Sequence, residues 1–376
     1  MASLKELREQ LDGIDAQIIS LYEQRMSVCA QVADYKIKNG KGVYDREREQ
    51  QKLVAAMAQV EDVYHKKGVK ELFELLMSIS RKLQYRKIAE QGGMGKLPFI
   101  ETEHPDTAHA KIVFQGVEGA YSEAALRQYF GKEVEAYHVR TWRDAMEAIE
   151  DGEADFAVLP IENSSAGAVD EVYDLLVEFE NYILGETVLP VNHVLAGLPG
   201  SKEEAVTRVY SHPQGLMQCE KYLHNHMTME KISVDNTAVA AKRIVEEQNP
   251  SYAAICSAYA AELYGLEILR TQINDNSQNS TRFIIVTNQK IFLDNAKKIS
   301  ICFELPHESG SLYQLLSHFI YNDLNMTKIE SRPIEDRPWE YRFFVDFEGN
   351  LADGAVKNAI RGLREEAKNL RILGNY

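Results

Sequence analysis

The sequence predicts a multidomain chain of three parts. An all-α helical unit spans residues 1–91, a linker 92–109, a two-lobed α/β domain 110–290, and an α+β unit of ferredoxin-like order 296–376. Three observations carry that reading. Apolar residues recur every three or four positions from Leu4 to Tyr35, the period of a helix seam. After Gly92-Gly93-Met94-Gly95 the period changes to short apolar runs alternating with amphipathic ones, the pattern of an α/β domain with mainly parallel sheets. Beyond Ala296 the order is strand, helix, strand, strand, helix, strand.

The first helix starts at a capping box, Ser3-Leu4-Lys5-Glu6, and runs unbroken to Asn39-Gly40-Lys41-Gly42. Its seam is Leu4, Leu7, Leu11, Ile14, Ile18, Leu21, Val28, Val32 and Tyr35, and the one beat that is not apolar is Arg25. Burying an unpaired guanidinium is costly enough to imply an anionic partner, either a carboxylate of the protein or a ligand. At about 1.5 Å per residue the helix is roughly 50 Å long, with Arg8 and Arg25 about 25 Å apart and Arg25 and Lys36 about 16 Å apart near one face. Two long side chains can close the second gap around a small anion. Arg8 can join them only from a second copy of the chain, which predicts an intertwined helical dimer.

Asp45 caps a second helix with Leu53, Val54, Met57 and Val60 in register. A third runs from Val69 through Leu72, Phe73, Leu76, Ile79 and Leu83, with Ser80 and Gln84 one turn apart on its core-facing side. Purely structural alternatives are an ion pair of Arg25 with Glu23 or Glu47 of a neighbour, and a seam pair formed by Ser80 and Gln84. Taken together, Arg8, Arg25, Lys36, Arg46, Glu47, Ser80 and Gln84 make a small polar pocket suited to a dianion.

The pattern L-R-x-x-[IL]-D at Leu7 to Asp12, then Arg25, Lys36, Asp45-Arg46-Glu47-Arg48 and Ser80-x-x-x-Gln84, resembles the all-helical chorismate mutase family. The resemblance implies a pericyclic rearrangement of chorismate to prephenate, with no nucleophile, metal or proton transfer. It implies that Arg25 and a borrowed Arg8 hold the two carboxylates with help from Arg46. It further implies that Lys36 and Gln84 donate to the ether oxygen, and that Glu47 accepts from the ring hydroxyl. Some relatives carry an acidic residue just before the Asp-Arg-Glu run, where this chain has Val43 and Tyr44.

Composition narrows the field. The 376 residues, 45% hydrophobic and 26% charged, are enough for two or three ordinary cores. No apolar run approaches a membrane span and no signal-peptide pattern opens the chain, so a cytoplasmic location is expected. A net charge of −15 argues against nucleic acid or an acidic membrane as partner. Cys29, Cys219, Cys256 and Cys302 are scattered and read as reduced thiols, and no histidine pattern suits a metal. Gly116-Val117-Glu118-Gly119 follows a strand but lacks the third glycine of a dinucleotide site, so no cofactor is expected.

In the middle domain strands are expected at Ile112–Phe114, Phe156–Leu159, Val209–Ser211, Ala253–Cys256 and Phe283–Val286. A crossing near Val188–Leu195 and a return near Glu267–Ser280 imply two lobes with a cleft. Three loops carry its polar residues: Pro160 to Gly167, Ser211-His212-Pro213-Gln214 with Gln218, and Asn279 to Phe283. Two of these are expected to open helices whose N-termini favour an anion, although Ser164 or Ser165 in such a place also reads as a plain cap, and Arg282 as a surface charge. Gly116-x-x-Gly-Ala-Tyr-Ser122, Pro160-Ile-Glu-Asn-Ser-Ser-Ala-Gly167, Tyr210-Ser-His-Pro-Gln214 and Thr281-Arg-Phe283 resemble the prephenate dehydratase family. That resemblance implies loss of carbon dioxide and the ring hydroxyl from prephenate to give phenylpyruvate. Thr281 would assist the leaving hydroxyl with Glu162 as proton relay, and Arg282 would anchor a carboxylate. Asn163, Ser164, Ser211, Gln218, Thr237 and Phe283 would line the site.

The last unit resembles the ACT domain, through Glu330-Ser331-Arg332-Pro333 and the Gly310-Ser311-Leu312-Tyr313 turn, with Ser311 where alanine is common. The resemblance implies phenylalanine as effector, bound where two such modules meet, inhibiting the dehydratase strongly and the mutase weakly. The resemblances cover nearly the whole chain and imply two steps of phenylalanine biosynthesis on one homo-oligomeric polypeptide. Two alternatives compete: a non-catalytic sensor of an aromatic acid, which outlines similar to periplasmic solute-binding folds would suit, and a dehydratase whose helical part is only a dimerisation arm.

Overall fold

The structure is a computed structural model that describes residues 2–90, 97–105, 107, 109–306 and 308–376. Residues 92–96, 106 and 108 of the expected linker lie outside the described residues. Helix α1 is Leu4–Lys38, opened by the Ser3–Glu6 capping box. Only Ala33 of α1 is buried, and its seam residues keep between 41% (Val32) and 64% (Leu4, Leu21) of their surface exposed. A single chain therefore leaves a long apolar face uncovered.

Helix α2 is Arg46–Met57, and the Asp45 side chain accepts from Arg48 N at 3.0 Å. Val60 falls beyond its end. Helix α3, Val63–Glu90, begins six residues earlier than its apolar pattern suggested. The reason is local: the Asp62 side chain accepts from His65 N at 2.9 Å, satisfying a free N–H of the first turn. Val43, Tyr85 and Ile88 form a small core with Ile37 between α1, the loop that follows it and α3.

The segment Phe99–Ala296, with Leu373–Tyr376, is a compact unit of its own. Strand β1, Ile100–Thr102, pairs in parallel with β13, Ile291–Leu293, so part of the expected linker is ordered sheet. The first lobe holds β2 (Lys111–Gln115), α4 (Tyr121–Phe130), β3 (Glu135–Val139), α5 (Trp142–Glu150), β4 (Phe156–Asn163), β5 (Gly167–Ala168), α6 (Asp170–Glu178) and β6 (Tyr182–Pro190). The chain then crosses to the second lobe, with β7 (His193–Gly197), β8 (Arg208–Ser211), α7 (Pro213–Gln218), α8 (Glu220–His224), β9 (Glu230–Ser233), α9 (Thr237–Glu247), β10 (Tyr252–Ser257), α10 (Ala258–Leu263) and β11 (Glu267–Arg270). It returns through β12, Ser280–Thr287.

Strand order is β6-β12-β4-β2-β3 in the first lobe and β11-β7-β10-β8-β9 in the second. Both sheets are mixed rather than mainly parallel. β12 runs antiparallel to β4 and β6, and β7 antiparallel to β10 and β11. β7 and β12 come straight from the other lobe, without the helical crossover that joins parallel neighbours within one sheet.

The remaining elements are β14 (Lys298–Glu304), α11 (Ser311–Ile320), β15 (Met326–Ile334), β16 (Arg337–Glu348), α12 (Gly354–Glu366) and β17 (Lys368–Asn375). Their strands lie in the order β15-β16-β14-β17, with β15 outermost. Residues Lys297–Ile372 form one compact unit with Met1–Pro98. The helical segment is therefore not an isolated body, as its sequence suggested: α3 packs on α12 through buried Arg81 and Tyr85 and on α11 through buried Lys82. Among the described residues no helix is long and apolar enough to cross a membrane.

Candidate active sites

In the helical segment, Arg25 Nη1 donates to Leu76 O at 3.0 Å and to Ser80 Oγ at 2.5 Å. Among the described residues it has no carboxylate at ion-pair distance, so neither Glu23 nor Glu47 neutralises it within one chain. Ser80 and Gln84 are both buried, and Gln84 Oε1 has no hydrogen-bond partner among the described residues. Lys36 Nζ donates to Val43 O at 2.6 Å; burial lowers its pKa, opposed by the charges of Asp45, Glu49 and Glu365. Arg46 is ion-paired with Glu308, while Arg8 and Glu47 are exposed. One chain thus joins Arg25 to Ser80 and leaves Arg8 far along the helix.

The two-lobed unit encloses a cavity of about 510 Å³. Of the expected residues, Asn163, Gln218, Thr237, Thr281 and Phe283 line it. Asn163 faces Thr281 across the β4–β12 ladder. Asn163 Oδ1 accepts from Ser165 N and Ala166 N, both at 3.0 Å, which turns its Nδ2 toward Thr281 Oγ1 at 2.9 Å. A hydroxyl that accepts from an amide keeps its own proton for another partner.

Four expected residues stand elsewhere. Glu162 and Arg282 flank Asn163 and Thr281 by one position, so strand alternation sends their side chains to the opposite face. There Arg282 meets Glu186 at 3.1 Å and Glu162 at 3.6 Å, and neither Arg282 nor Glu162 lines the cavity. Ser211 is fully buried and donates to Ile255 O at 2.8 Å, while the absence of a Cβ at Gly215 makes room for its Oγ. Ser164 is exposed and exchanges hydrogen bonds with Ser280. The Pro160–Gly167 segment opens no helix but forms the β4–β5 hairpin, so of the expected anion sites only the His212–Gln214 turn, capped by the His212 side chain, starts one.

The cavity is also lined by residues given no individual role from sequence, among them Tyr121, Trp142, His193, His212, Gln214 and Asn236. His193 Nε2 donates to Gln218 Oε1 at 2.9 Å, leaving Nδ1 to face the Tyr121 hydroxyl at 3.2 Å. Burial lowers the His193 pKa, opposed by the Gln218 hydrogen bond, and holds the ring neutral. Tyr121 and Gln214 fall inside the motif segments quoted above; His193, lone on the crossing strand, carried no sequence signal. Among the lining residues there is no Lys or Arg. Among the described residues no group of His, Cys, Asp and Glu is placed to hold a metal ion.

Comparison with known proteins resolves the family. A chorismate mutase type II family model matches residues 7–85 and a prephenate dehydratase model residues 112–291. The bifunctional chorismate mutase/prephenate dehydratase of Pseudomonas aeruginosa is 32% identical over 379 residues, covering 99% of this chain and 97% of that protein. The chain belongs to the bifunctional chorismate mutase/prephenate dehydratase family. A chloroplastic arogenate dehydratase/prephenate dehydratase of Arabidopsis thaliana is 41% identical over 288 residues, 72% of this chain and 69% of its own length. The prephenate dehydratase of Arthrobacter aurescens, solved in complex with L-Phe, is 31% identical with a TM-score of 0.66, over 71% of this chain and 89% of that one.

This member of the bifunctional family also carries a cavity of about 340 Å³ in its C-terminal module, lined by Ser311 and Leu312 together with Glu308, Trp339 and Tyr341. Glu330, Ser331, Arg332 and Pro333 do not line it; they lie on the outer strand β15, opposite Phe344 to Tyr341 of β16. The two expected effector motifs are therefore not joined in one cavity of a single chain, and Gly310, at φ 81°, serves as the left-handed cap of α11.

Proposed function

We propose that the helical segment rearranges chorismate to prephenate and that the two-lobed unit converts prephenate to phenylpyruvate, two successive steps of phenylalanine biosynthesis. The mutase works as an intertwined dimer. The uncovered apolar face of α1 supports this, since a second α1 would bury it and bring the partner's Arg8 to Arg25. Arg25 and the borrowed Arg8, with Arg46, clamp the two carboxylates in the compact conformer. Lys36 and Gln84 donate to the ether oxygen as its bond to carbon breaks, and Glu47 accepts from the ring hydroxyl.

In the dehydratase, the electron pair of the breaking C–CO₂ bond moves into the ring as the C–OH bond opposite it breaks. The departing hydroxide leaves as water when it takes a proton. The observation that carries this reading is Thr281, on the cavity lining, with its Oγ1 held by Asn163 Nδ2. Thr281 hydrogen-bonds the leaving oxygen, and neutral His193 beside Tyr121 completes the polar wall. A lining without Lys or Arg suits decarboxylation, because a cation on the carboxylate that leaves would stabilise the ground state. Glu162 has no part as proton relay here.

The C-terminal unit is a ferredoxin-like ACT module that binds phenylalanine where two modules meet. The β-α-β-β-α-β order supports it, as does the cavity at the Gly310-opened helix. The test is the purified full chain given chorismate, with prephenate and phenylpyruvate followed separately and with and without phenylalanine. Prephenate and arogenate should also be offered as separate substrates. Formation of phenylpyruvate from chorismate is expected; turnover of arogenate alone would move the dehydratase to the other substrate.

A further inference from the structure

Arg81 of α3 is one of the most buried charges in the chain, 5% exposed. It is a fork between two modules: Nη1 reaches Glu49 Oε2 of α2 at 2.5 Å, and Nε reaches Glu366 Oε1 at the end of α12 at 2.8 Å. Its guanidinium also lies 4.9 Å from the Tyr44 ring. His318 Nε2 lies 3.2 Å from Glu366 Oε1, close to it but without hydrogen-bond geometry. The neighbouring Glu365 accepts from Tyr44 N at 3.3 Å and from Tyr85 O–H at 2.9 Å. Residues 43–49 are the segment that carries Arg46 and Glu47, and α3 is the helix that carries Ser80 and Gln84. The carboxylates that set the one against the other come from the C-terminal module.

We propose that Glu365 and Glu366 are positioning residues for the chorismate mutase reaction, acting through Tyr44 and through Arg81 and Glu49 to set α2 against α3. This rests on the mutase reading above. A buried guanidinium that loses one of its two carboxylates loses a charge-assisted hydrogen bond that helps hold it in place. Without Glu366 it turns toward water or toward Glu49 alone, and α2 shifts with it. A shift of that kind leaves substrate binding largely intact and degrades the placement of groups in the transition state.

The experiment uses the full chain and compares wild type with Glu366→Gln, Glu366→Asp and Glu365→Gln, measuring mutase kcat and KM, dehydratase turnover of prephenate, and thermal unfolding. Glu366→Gln is expected to lower mutase kcat about tenfold, with KM changed less than about threefold and dehydratase turnover within about twofold. Glu366→Asp should recover part of the loss. Should Glu366→Gln fail to fold, judged by lost dehydratase activity, Glu365→Gln decides, with a mutase kcat about threefold lower expected. A lower melting temperature with mutase kcat unchanged overturns the proposal, since it would make these carboxylates packing groups only. A wild-type chain that does not convert chorismate at all would instead sink the mutase reading itself.

Discussion

Asn163 Nδ2 stands 2.9 Å from Thr281 Oγ1, and the orientation of that amide is fixed by two backbone N–H groups on its other end. Toward that amide, which also donates to Asn279 Oδ1 at 2.9 Å and Ser280 O at 3.1 Å, the hydroxyl can only accept, so its own proton stays available to another partner. This relationship replaces the Glu162 relay. It also makes the direction of one O–H bond the quantity that mutation can change.

Asn163→Asp should therefore reverse the hydrogen bond, with Thr281 donating to the new carboxylate and no longer to another partner. Prephenate turnover is expected to fall about 100-fold, comparable to removing a preorganised donor, with KM little changed. Thr281→Ala should lose at least as much, on the scale of about 100-fold or more, while Thr281→Ser keeps a substantial share. Equal loss in the serine and alanine variants would mean packing at this position, not chemistry.

Arg282 offers a test of the opposite sense. Because it is paired with Glu186 and Glu162 on the far face of β12, Arg282→Ala should leave KM for prephenate within about threefold of wild type while lowering thermal stability. A rise in KM of tenfold or more would restore it as the carboxylate anchor.

The exposed seam of α1 bears on assembly. Ile18→Glu, in the middle of the uncovered face, should give a monomer in sedimentation and abolish mutase activity. Arg8→Ala and Arg25→Ala, each nearly inactive alone, should regain partial activity when mixed, since a heterodimer restores one site with both guanidiniums. Absence of complementation despite demonstrated subunit exchange would separate the roles of the two arginines.

His193 makes stability depend on pH in a defined direction. Its folded pKa is depressed below the ordinary 6.5 by burial, so the unfolded chain binds a proton that the folded chain does not. The contribution is fully present above pH 6.5 and is lost as pH falls from there toward the folded pKa. Unfolding of the two-lobed unit by urea should have a lower midpoint at pH 5.5 than at pH 7.5, and His193→Asn should reduce that difference. An unchanged difference would assign the effect to other groups.

Truncation before Lys297 separates two views of the helical segment. Taken as self-contained, it would keep full mutase activity without the C-terminal module. The burial of Arg81 and Lys82 against Glu366 and Ser317 predicts instead a mutase of reduced kcat and reduced stability. Chorismate turnover by the truncated chain measures the difference.

Local sequence determined most of the elements. The Ser3–Glu6 capping box, the heptad seam of α1, the Asp45 cap and the strand cores from Ile112 to Val286 are set by short-range propensities and periods, which neighbours in sequence suffice to express. The same holds for the odd polar beat at Arg25 and for the motif segments that line the cavity. Tertiary structure alone decided which face each site residue presents. A strand's period of two separates Thr281 from Arg282 and Asn163 from Glu162, and a motif read as a block does not distinguish inward from outward positions. It alone brought His193 from the crossing strand to Tyr121 and Gln218. It alone joined the helical segment to the C-terminal module, because Arg81 and Glu366 are separated by most of the chain and each reads, in sequence, as an ordinary charge on an amphipathic helix. Their partner is specified by burial, which long-range packing creates and no local pattern encodes.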